Sequence, residues 1–384
     1  RSDIEVPGNS MTELMREKLL QLTTEVESIL TPKDTSRIAI LGTPQTTFTI
    51  YRKLAERNYR PFVWTARYPR KMDNYEGLLA PQLVADIENG AEPWAVTDQR
   101  FDNEDLIDRE ASMGRSNFML QFMLDTSLSD ASKFPLKCSD LVVTSVNPTS
   151  APDAVVWCSD PTNVIKDLPA VGLPGDYFYS PMLLQGDWGP YTETIASVDP
   201  SGRGSDETAV SFISQRNGFL YLHEMRAYRD GYSDNTLLDI LRGCKKYGVT
   251  KLLIETNFGD GIVAELFRKH LQQTKQAIDI EEVRANVRKE DRIIDALEPV
   301  LNQHRLVVDR SVIEWDYRSN PDNPPEERLP YMLFYQMSRM CREKGAVRHD
   351  DRLDSLAQGV KYYTEAMAIS AYETMKRRKM DEWI

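Results

Sequence analysis

The 384-residue sequence contains no G-x-x-x-x-G-K-[ST] run, so nothing in it forms the loop that cradles nucleotide phosphates. Its four cysteines, Cys138, Cys158, Cys244 and Cys341, show no C-x-x-C spacing, and its four histidines are dispersed. That pattern excludes a zinc site or a His-rich metal centre and points to reduced thiols in a cytosolic setting. No apolar run approaches the roughly 20 residues of a membrane span. The opening Arg1-Ser2-Asp3-Ile4-Glu5 has none of the features of a signal peptide. Positive charge is also scarce: 47 Lys and Arg stand against 59 Asp and Glu, a formal charge of −12. Nucleic-acid binders are usually basic, so any such contact here must rest on local charge.

What the chain has is acid in particular places. Asp199 ends the apolar run Ile195-Ala196-Ser197-Val198, and Glu255 ends Lys251-Leu252-Leu253-Ile254. His349-Asp350-Asp351-Arg352-Leu353-Asp354 opens a helical pattern. A carboxylate at a strand end projects from a rigid element, and hard divalent cations take such oxygens as ligands. Two ions a few ångströms apart can clamp the attacking and leaving oxygens of a phosphodiester. Each acid alone has an ordinary explanation: a turn residue, a solvated strand end, a helix cap. The three together, in this order, carry the functional reading.

At 41% hydrophobic and 28% charged, the chain has ample core for two or three domains. In the first part a helix is expected over 11–30. Strands are expected at Arg37–Leu41 and around Pro61–Trp64, with the helix Thr46–Glu56 between them, which implies an α/β layer with a parallel sheet. Residues 101–124 read as helical. The Pro-, Gly- and Asp-rich stretch 148–190 reads as a connection with some strand content near Ala154–Trp157. From 191 onward strands are expected at Thr194–Asp199, Thr208–Gln215 and Phe219–Tyr228, the last two joined by an Asn217-Gly218 hairpin turn. Helix Ser233–Tyr247, strand Val249–Glu255, helix Gly261–Lys275, strand Ile278–Val283, helix Glu290–Asn302, strand Arg305–Val312 and a final helix from Asp351 follow. Three antiparallel strands followed by alternating helices and strands is the order of the ribonuclease H-like fold. In that fold the three acids fall on the first strand, the strand after the first helix and a late helix.

The runs Ser197–Thr208, Leu253–Gly261, Asn286–Ile293 and His349–Leu356 resemble phage terminase large subunits of the kind found in short-tailed phages. The resemblance covers essentially the whole chain. It implies an α/β chain in which 1–147 is a partial P-loop ATPase-type domain with a helical lid region. Residues 148–190 would be a linker and 191–384 a ribonuclease H-like nuclease domain with a mixed sheet flanked by helices. The implied function is metal-dependent endonucleolytic cutting of concatemeric viral DNA during genome packaging. Two other functions fit the same acids: another ribonuclease H-like nuclease such as a junction resolvase, or an inactive packaging or scaffold component.

On this reading Asp199 bridges two Mg²⁺ or Mn²⁺ ions, Glu255 holds one and Asp351 the other, with Asp354 the second choice for that third position. Arg203, Arg284, Arg288, Lys289 and Arg292 are candidate DNA-phosphate contacts. Asp3 and Glu5 are similar to the tail of a nucleotide-binding acidic strand, although Ser2 stands where another acid is expected. ATP is expected as a ligand only of a full-length family member, and no turnover is expected from this chain alone. The implied partners are double-stranded DNA, the capsid portal protein and the small terminase subunit, with Lys376-Arg377-Arg378-Lys379 a candidate portal contact. The setting is host cytoplasm, transiently at the portal, with no membrane role.

Overall fold

The computed structural model describes residues 3–201, 206–256, 261–284, 287–321 and 323–381. The chain divides into two compact units, 1–134 with 343–346, and 135–342 with 347–384. The composition placed a connection at 148–190. In the structure this stretch belongs to the second unit and contributes two paired strands, β2 (Ser150–Val156) and β3 (Leu183–Pro190).

The first unit is mainly helical: α1 (Pro7–Ser10), α2 (Glu13–Glu27), α3 (Ile50–Ala55), α4 (Pro81–Glu88), α5 (Asn103–Met113), α6 (Arg115–Gln121) and α7 (Ser127–Lys133). The strands expected at 37–41 and 61–64 do not form among the described residues. A strand needs hydrogen-bonded neighbours along its edges. The run 37–41 accepts one backbone bond, from Asp3 N–H to Leu41 C=O at 3.0 Å, and Leu41 is exposed. Val63 makes only an isolated bridge to Leu79. The single helix expected over 101–124 is two, because Gly114 sits at φ 80° and breaks the ladder between α5 and α6.

The second unit is built on a seven-stranded mixed sheet. Besides β1 (Val142–Thr144), its strands are β4 (Glu193–Asp199), β5 (Thr208–Arg216), β6 (Phe219–Tyr228), β7 (Lys251–Glu255), β8 (Asp279–Val283) and β9 (Leu306–Asp309). Their order is β1-β9-β6-β5-β4-β7-β8. Strands β4, β5 and β6 are antiparallel; β4 with β7 and β7 with β8 are parallel. The β5–β6 turn uses Asn217 at φ 49° and Gly218 at φ 82°, the left-handed pair that a tight hairpin requires.

The helices of this unit are α8 (Asp234–Tyr247), α9 (Ile262–Thr274), α10 (Lys289–Asn302), α11 (Arg310–Arg318), α12 (Pro325–Arg328), α13 (Leu333–Arg339) and α14 (Asp351–Asp381). Ser233 caps α8 by accepting from Thr236 N–H, and Gly248 ends it at φ 63°. The strand expected over 305–312 stops at Asp309, whose carboxylate accepts from Ser311 N–H and turns the chain into α11.

Side chains of a strand alternate between faces. Ala196 and Val198 of β4, with Leu252 and Ile254 of β7, enter a core with Leu237, Ile240 and Leu241 of α8 and Val263 and Phe267 of α9. That leaves Ile195, Ser197 and Asp199, and Leu253 and Glu255, for the opposite face, which α14 covers. Gly359 lets α14 lie close, since a Cβ there would stand 2.6 Å from Ile213 Cδ1 and 3.3 Å from Ser197 Cβ.

Candidate functional site

Strands β4 and β7 are adjacent and parallel, with Val198 opposite Ile254. The next residue on each, Asp199 and Glu255, therefore ends its strand on the face toward α14. Both sit at the carboxyl edge of the sheet, where open α/β sheets place their ligands. From α14 the carboxylate of Asp354 completes the group. One oxygen from each of Asp199, Glu255 and Asp354 lies within 4.8 Å of the others. A divalent cation binds oxygen at roughly 2.1 to 2.5 Å, so oxygens that share one lie at most about 4 to 5 Å apart.

The polar atoms around these acids test whether the group is suited to a cation. Among the described residues, Asp199 Oδ2 and Asp354 Oδ1 are buried without a hydrogen-bond donor. Two orphaned carboxylate oxygens in one cluster are costly, and a divalent ion satisfies both. All three ligands are hard oxygens, which suits Mg²⁺ or Mn²⁺.

The electrostatics agree. Burial pushes the Asp199 carboxyl well above the usual range; Lys289 pulls it back, and Asp354, Glu255 and Asp351 push it up again. Burial raises Asp354 to about 6, against the pull of Lys289 and Arg292. Burial likewise raises Asp351 to about 7, although it accepts from Glu207 N–H at 3.1 Å.

Asp351, the first choice from sequence for the third ligand, belongs to a neighbouring group with Asp206 and His349. His349 Nδ1 lies 3.3 Å from Asp206 Oδ1, and its ring stacks on Tyr331 at 4.0 Å. Asp354 is the α14 acid that joins Asp199 and Glu255. Asp350 takes a third position, 2.8 Å from Lys289 Nζ.

The candidate phosphate contacts separate. Arg203 lies outside the described residues, and Arg284 is exposed. Arg288 is exposed but pairs with Asp291 at 3.0 Å. Lys289 and Arg292, read from sequence as candidate DNA-phosphate contacts, point into the acids from the first turn of α10. Lys289 Nζ is 3.1 Å from Asp354 Oδ2 and 3.8 Å from Asp199 Oδ2. Burial works against its charge, but Asp354, Asp199 and Asp350 outweigh burial and hold it protonated. Arg292 donates to Asp354 at 2.8 Å and to Glu255 at 3.3 Å. Both are committed to carboxylates.

In the first unit, Glu5 is fully buried and accepts from Gln45 N–H, Ile50 N–H and the Thr49 hydroxyl; Asp3 accepts from Thr43 N–H at 3.2 Å. Burial raises the Glu5 carboxyl. These two acids fasten the segment 43–50. A cavity of 930 Å³ in the same unit is lined by Leu41, Tyr51, Phe62 and Trp64. None of the clustered acids lines it, so its size does not mark the chemistry. The basic run 376–379 lies in the last turns of α14.

Sequence reasoning missed the polar residues behind the acids: Glu207, Asp316, Ser355 and Arg352. Arg352 carried a signal. It is the one basic residue inside the acidic run His349–Asp354, and it is 1% exposed.

A family model described as Terminase Bacteriophage T7, Ribonuclease H-like domain matches residues 198–306. The chain is 42% identical over 376 residues to a terminase large subunit of Enterobacteria phage T3, covering 96% of this chain and 64% of that protein. It thus spans just under two thirds of that relative's length. Among solved structures it is similar to a human cytomegalovirus terminase nuclease domain soaked with Mn, at 12% identity and a TM-score of 0.33, covering 45% of this chain and 83% of that one. It is also similar to the large terminase nuclease of the thermophilic phage G20c, at 12% identity and a TM-score of 0.31, covering 59% and 96%. Scores at that level carry no weight for the fold, which stands on the strand order and the family match.

Proposed function

We propose, from the premise that the chain belongs to the phage terminase large-subunit family, that its ribonuclease H-like unit is a divalent-metal-dependent DNA endonuclease. Asp199, Glu255 and Asp354 would hold the ions. The observation that carries this reading is the convergence of these carboxylates, two of whose buried oxygens have no hydrogen-bond donor. Mg²⁺ or Mn²⁺ bound there would polarise the scissile phosphate and lower the pKa of an attacking water.

The chain's own residues do the positioning. Asp199 ends β4 beside β7 with one oxygen within 4.8 Å of oxygens of both Glu255 and Asp354, so it would be the ligand that two ions share. Arg292 orients the carboxylates of Glu255 and Asp354. Lys289 offsets the negative charge that would otherwise repel a phosphodiester. Arg284, exposed at the end of β8, is left as the described candidate for a backbone phosphate. No base-reading motif accompanies the acids, so cutting with little sequence preference is proposed. Concatemeric viral DNA as substrate, and the portal protein and small subunit as partners, follow from the family alone. ATP turnover is not assigned to this chain, whose sequence lacks the phosphate loop.

Incubating supercoiled plasmid with purified protein and Mn²⁺ or Mg²⁺ is expected to give linear and smaller products, and excess chelator is expected to stop it. Undiminished cutting in chelator would sink the metal mechanism. Preference for four-way junctions over plain duplex would move the assignment to a resolvase.

The raised carboxyl pKa values give a second expected result. Asp354 at about 6 and Asp351 at about 7 lie above the unfolded value of about 4. Groups raised in this way stabilise the fold fully below pH ~4, and that contribution is lost as pH rises to about 7. Metal-free protein therefore carries its greatest carboxylate repulsion at neutral pH and above. Mn²⁺ should raise the melting temperature more at pH 8 than at pH 5.5, read by calorimetry against chelated samples. An equal shift at both would contradict the protonated-cluster account.

A further inference from the structure

We propose that Arg352, gripped by Glu207 and Asp316, is the positioning residue that fixes where the first turn of α14 delivers Asp354; this rests on reading Asp199, Glu255 and Asp354 as the cation site. Arg352 is the largest fully buried side chain in the molecule among the described residues. Its Nε donates to Glu207 Oε2 at 2.9 Å and its Nη2 to Glu207 Oε1 at 3.1 Å. Its Nη1 donates to Asp316 Oδ1 and to Ser319 Oγ, both at 2.8 Å. The guanidinium also lies 4.9 Å from the Trp315 ring centroid. Four of its five N–H groups are thereby used.

The direction of this grip matters. Two residues along a helix is about 200° around it, so Arg352 leaves α14 on the side away from Asp354. The first turn is held from behind while Asp354 faces the acids. Glu207 acts twice, because its backbone N–H also donates to Asp351 Oδ2. Asp316 in turn accepts from Leu333 N–H at 2.8 Å and Phe334 N–H at 3.2 Å, which ties the network to the start of α13. Two further bonds hold the same stretch from other sides. Leu353 N–H donates to Gln336 Oε1 at 3.1 Å, and Ser355 Oγ donates to Ser197 C=O at 2.8 Å. These bonds set how deep α14 lies on the sheet; Arg352 sets how its first turn is rotated and tilted.

Stability alone does not account for such a network. Buried ion clusters are often matched or bettered by apolar groups of similar volume. What they supply is a directional constraint, since a bidentate guanidinium–carboxylate pair tolerates little rotation. A catalytic group displaced by about 1 Å can lose on the order of a hundredfold in rate, so a constraint at this turn has a functional return.

The test is Mn²⁺ affinity, measured by calorimetric titration on the whole chain for the native protein and for Arg352→Lys, Glu207→Gln, Asp354→Asn and Leu237→Ala. Lysine keeps the charge but cannot make the forked contact. Leu237→Ala destabilises the core on the other face of the sheet and matches a purely structural loss. Arg352→Lys and Glu207→Gln are expected to weaken Mn²⁺ binding at least tenfold at temperatures where both remain folded, with Leu237→Ala within twofold of native. If Arg352→Lys behaves as Leu237→Ala does while Asp354→Asn abolishes binding, the positioning role is overturned and the cation site stands. If Asp354→Asn leaves binding intact, the cation-site reading fails and the positioning role falls with it. Should Arg352→Lys not fold, Glu207→Gln decides. Should neither fold, Asn320→Gly decides, because it removes only the 2.9 Å bond onto Glu207 Oε1 at a residue already at φ 56°. A loss of affinity there supports the role and none overturns it.

Discussion

Replacing Asp199 with Asn is expected to lower DNA cleavage at least about a thousandfold, a barrier increase of roughly 4 kcal/mol. The substitution keeps the size and shape of the side chain and removes the charge. One Asp199 oxygen is within 4.8 Å of oxygens of both Glu255 and Asp354, so its loss would remove a ligand that both proposed ions would share. The fold has little reason to respond. The backbone of Asp199 pairs with Ala209 in the β4–β5 ladder whatever its side chain. Its Oδ2 makes no hydrogen bond that Asn would break, and Lys289, whose 3.8 Å ion pair it would lose, keeps Asp350 and Asp354 as partners. Removing one of several clustered carboxylates relieves repulsion in the metal-free protein, so the melting temperature should hold or rise slightly. Asp187→Asn, at an exposed position within β3, is the control and should cut as native does. A folded Asp199→Asn protein that cuts at near-native rate would mean that the active site lies elsewhere.

The elements that carry Asp199 and Glu255 could be read from sequence because each rests on a local pattern. Short apolar runs, an Asn-Gly turn, and a Ser cap with a terminal Gly placed β4 to β7 and α8 within about two residues of their observed ends. What failed depended on neighbours distant in sequence. The run 37–41 has the composition of a buried strand but forms none, because hydrogen-bonding partners are not encoded in the run itself. The expected strand ran on to Val312, into the first residues of α11, because the Asp309 cap that ends β9 was overlooked. Lys289 and Arg292 read as cations available to DNA phosphates. Only the packing of α10 beside α14 turns the first turn of α10 toward the acids. The same limit governed the third acid. Asp351 and Asp354 share a helix face and differ by about 4.5 Å along the axis. Which one reaches Asp199 depends on how far α14 slides over the sheet, which Ser355 and Gly359 fix by contacts invisible in the sequence.

That slide makes the comparison of Asp354→Asn with Asp351→Asn the next most consequential experiment. Asp354→Asn is expected to lower cleavage by at least about a hundredfold, close to 2.7 kcal/mol of barrier. It removes a ligand oxygen and also loosens Lys289 and Arg292, which both pair with Asp354 Oδ2. With that carboxylate neutral, the two cations would remain near Asp199 and Glu255 and compete there with an incoming ion. High Mn²⁺ should therefore restore only part of the activity. Asp351→Asn should cost about tenfold or less, because its carboxylate sits with Asp206 and His349 and accepts from Glu207 N–H, a bond that the Asn amide oxygen can keep. Rates measured on a nicked-plasmid assay over a Mn²⁺ series separate the two variants. A larger loss for Asp351→Asn than for Asp354→Asn would place the second group, and not the first, at the centre of the chemistry. The role given to Asp354 at the carboxyl edge of β4 and β7 would then pass to Asp351.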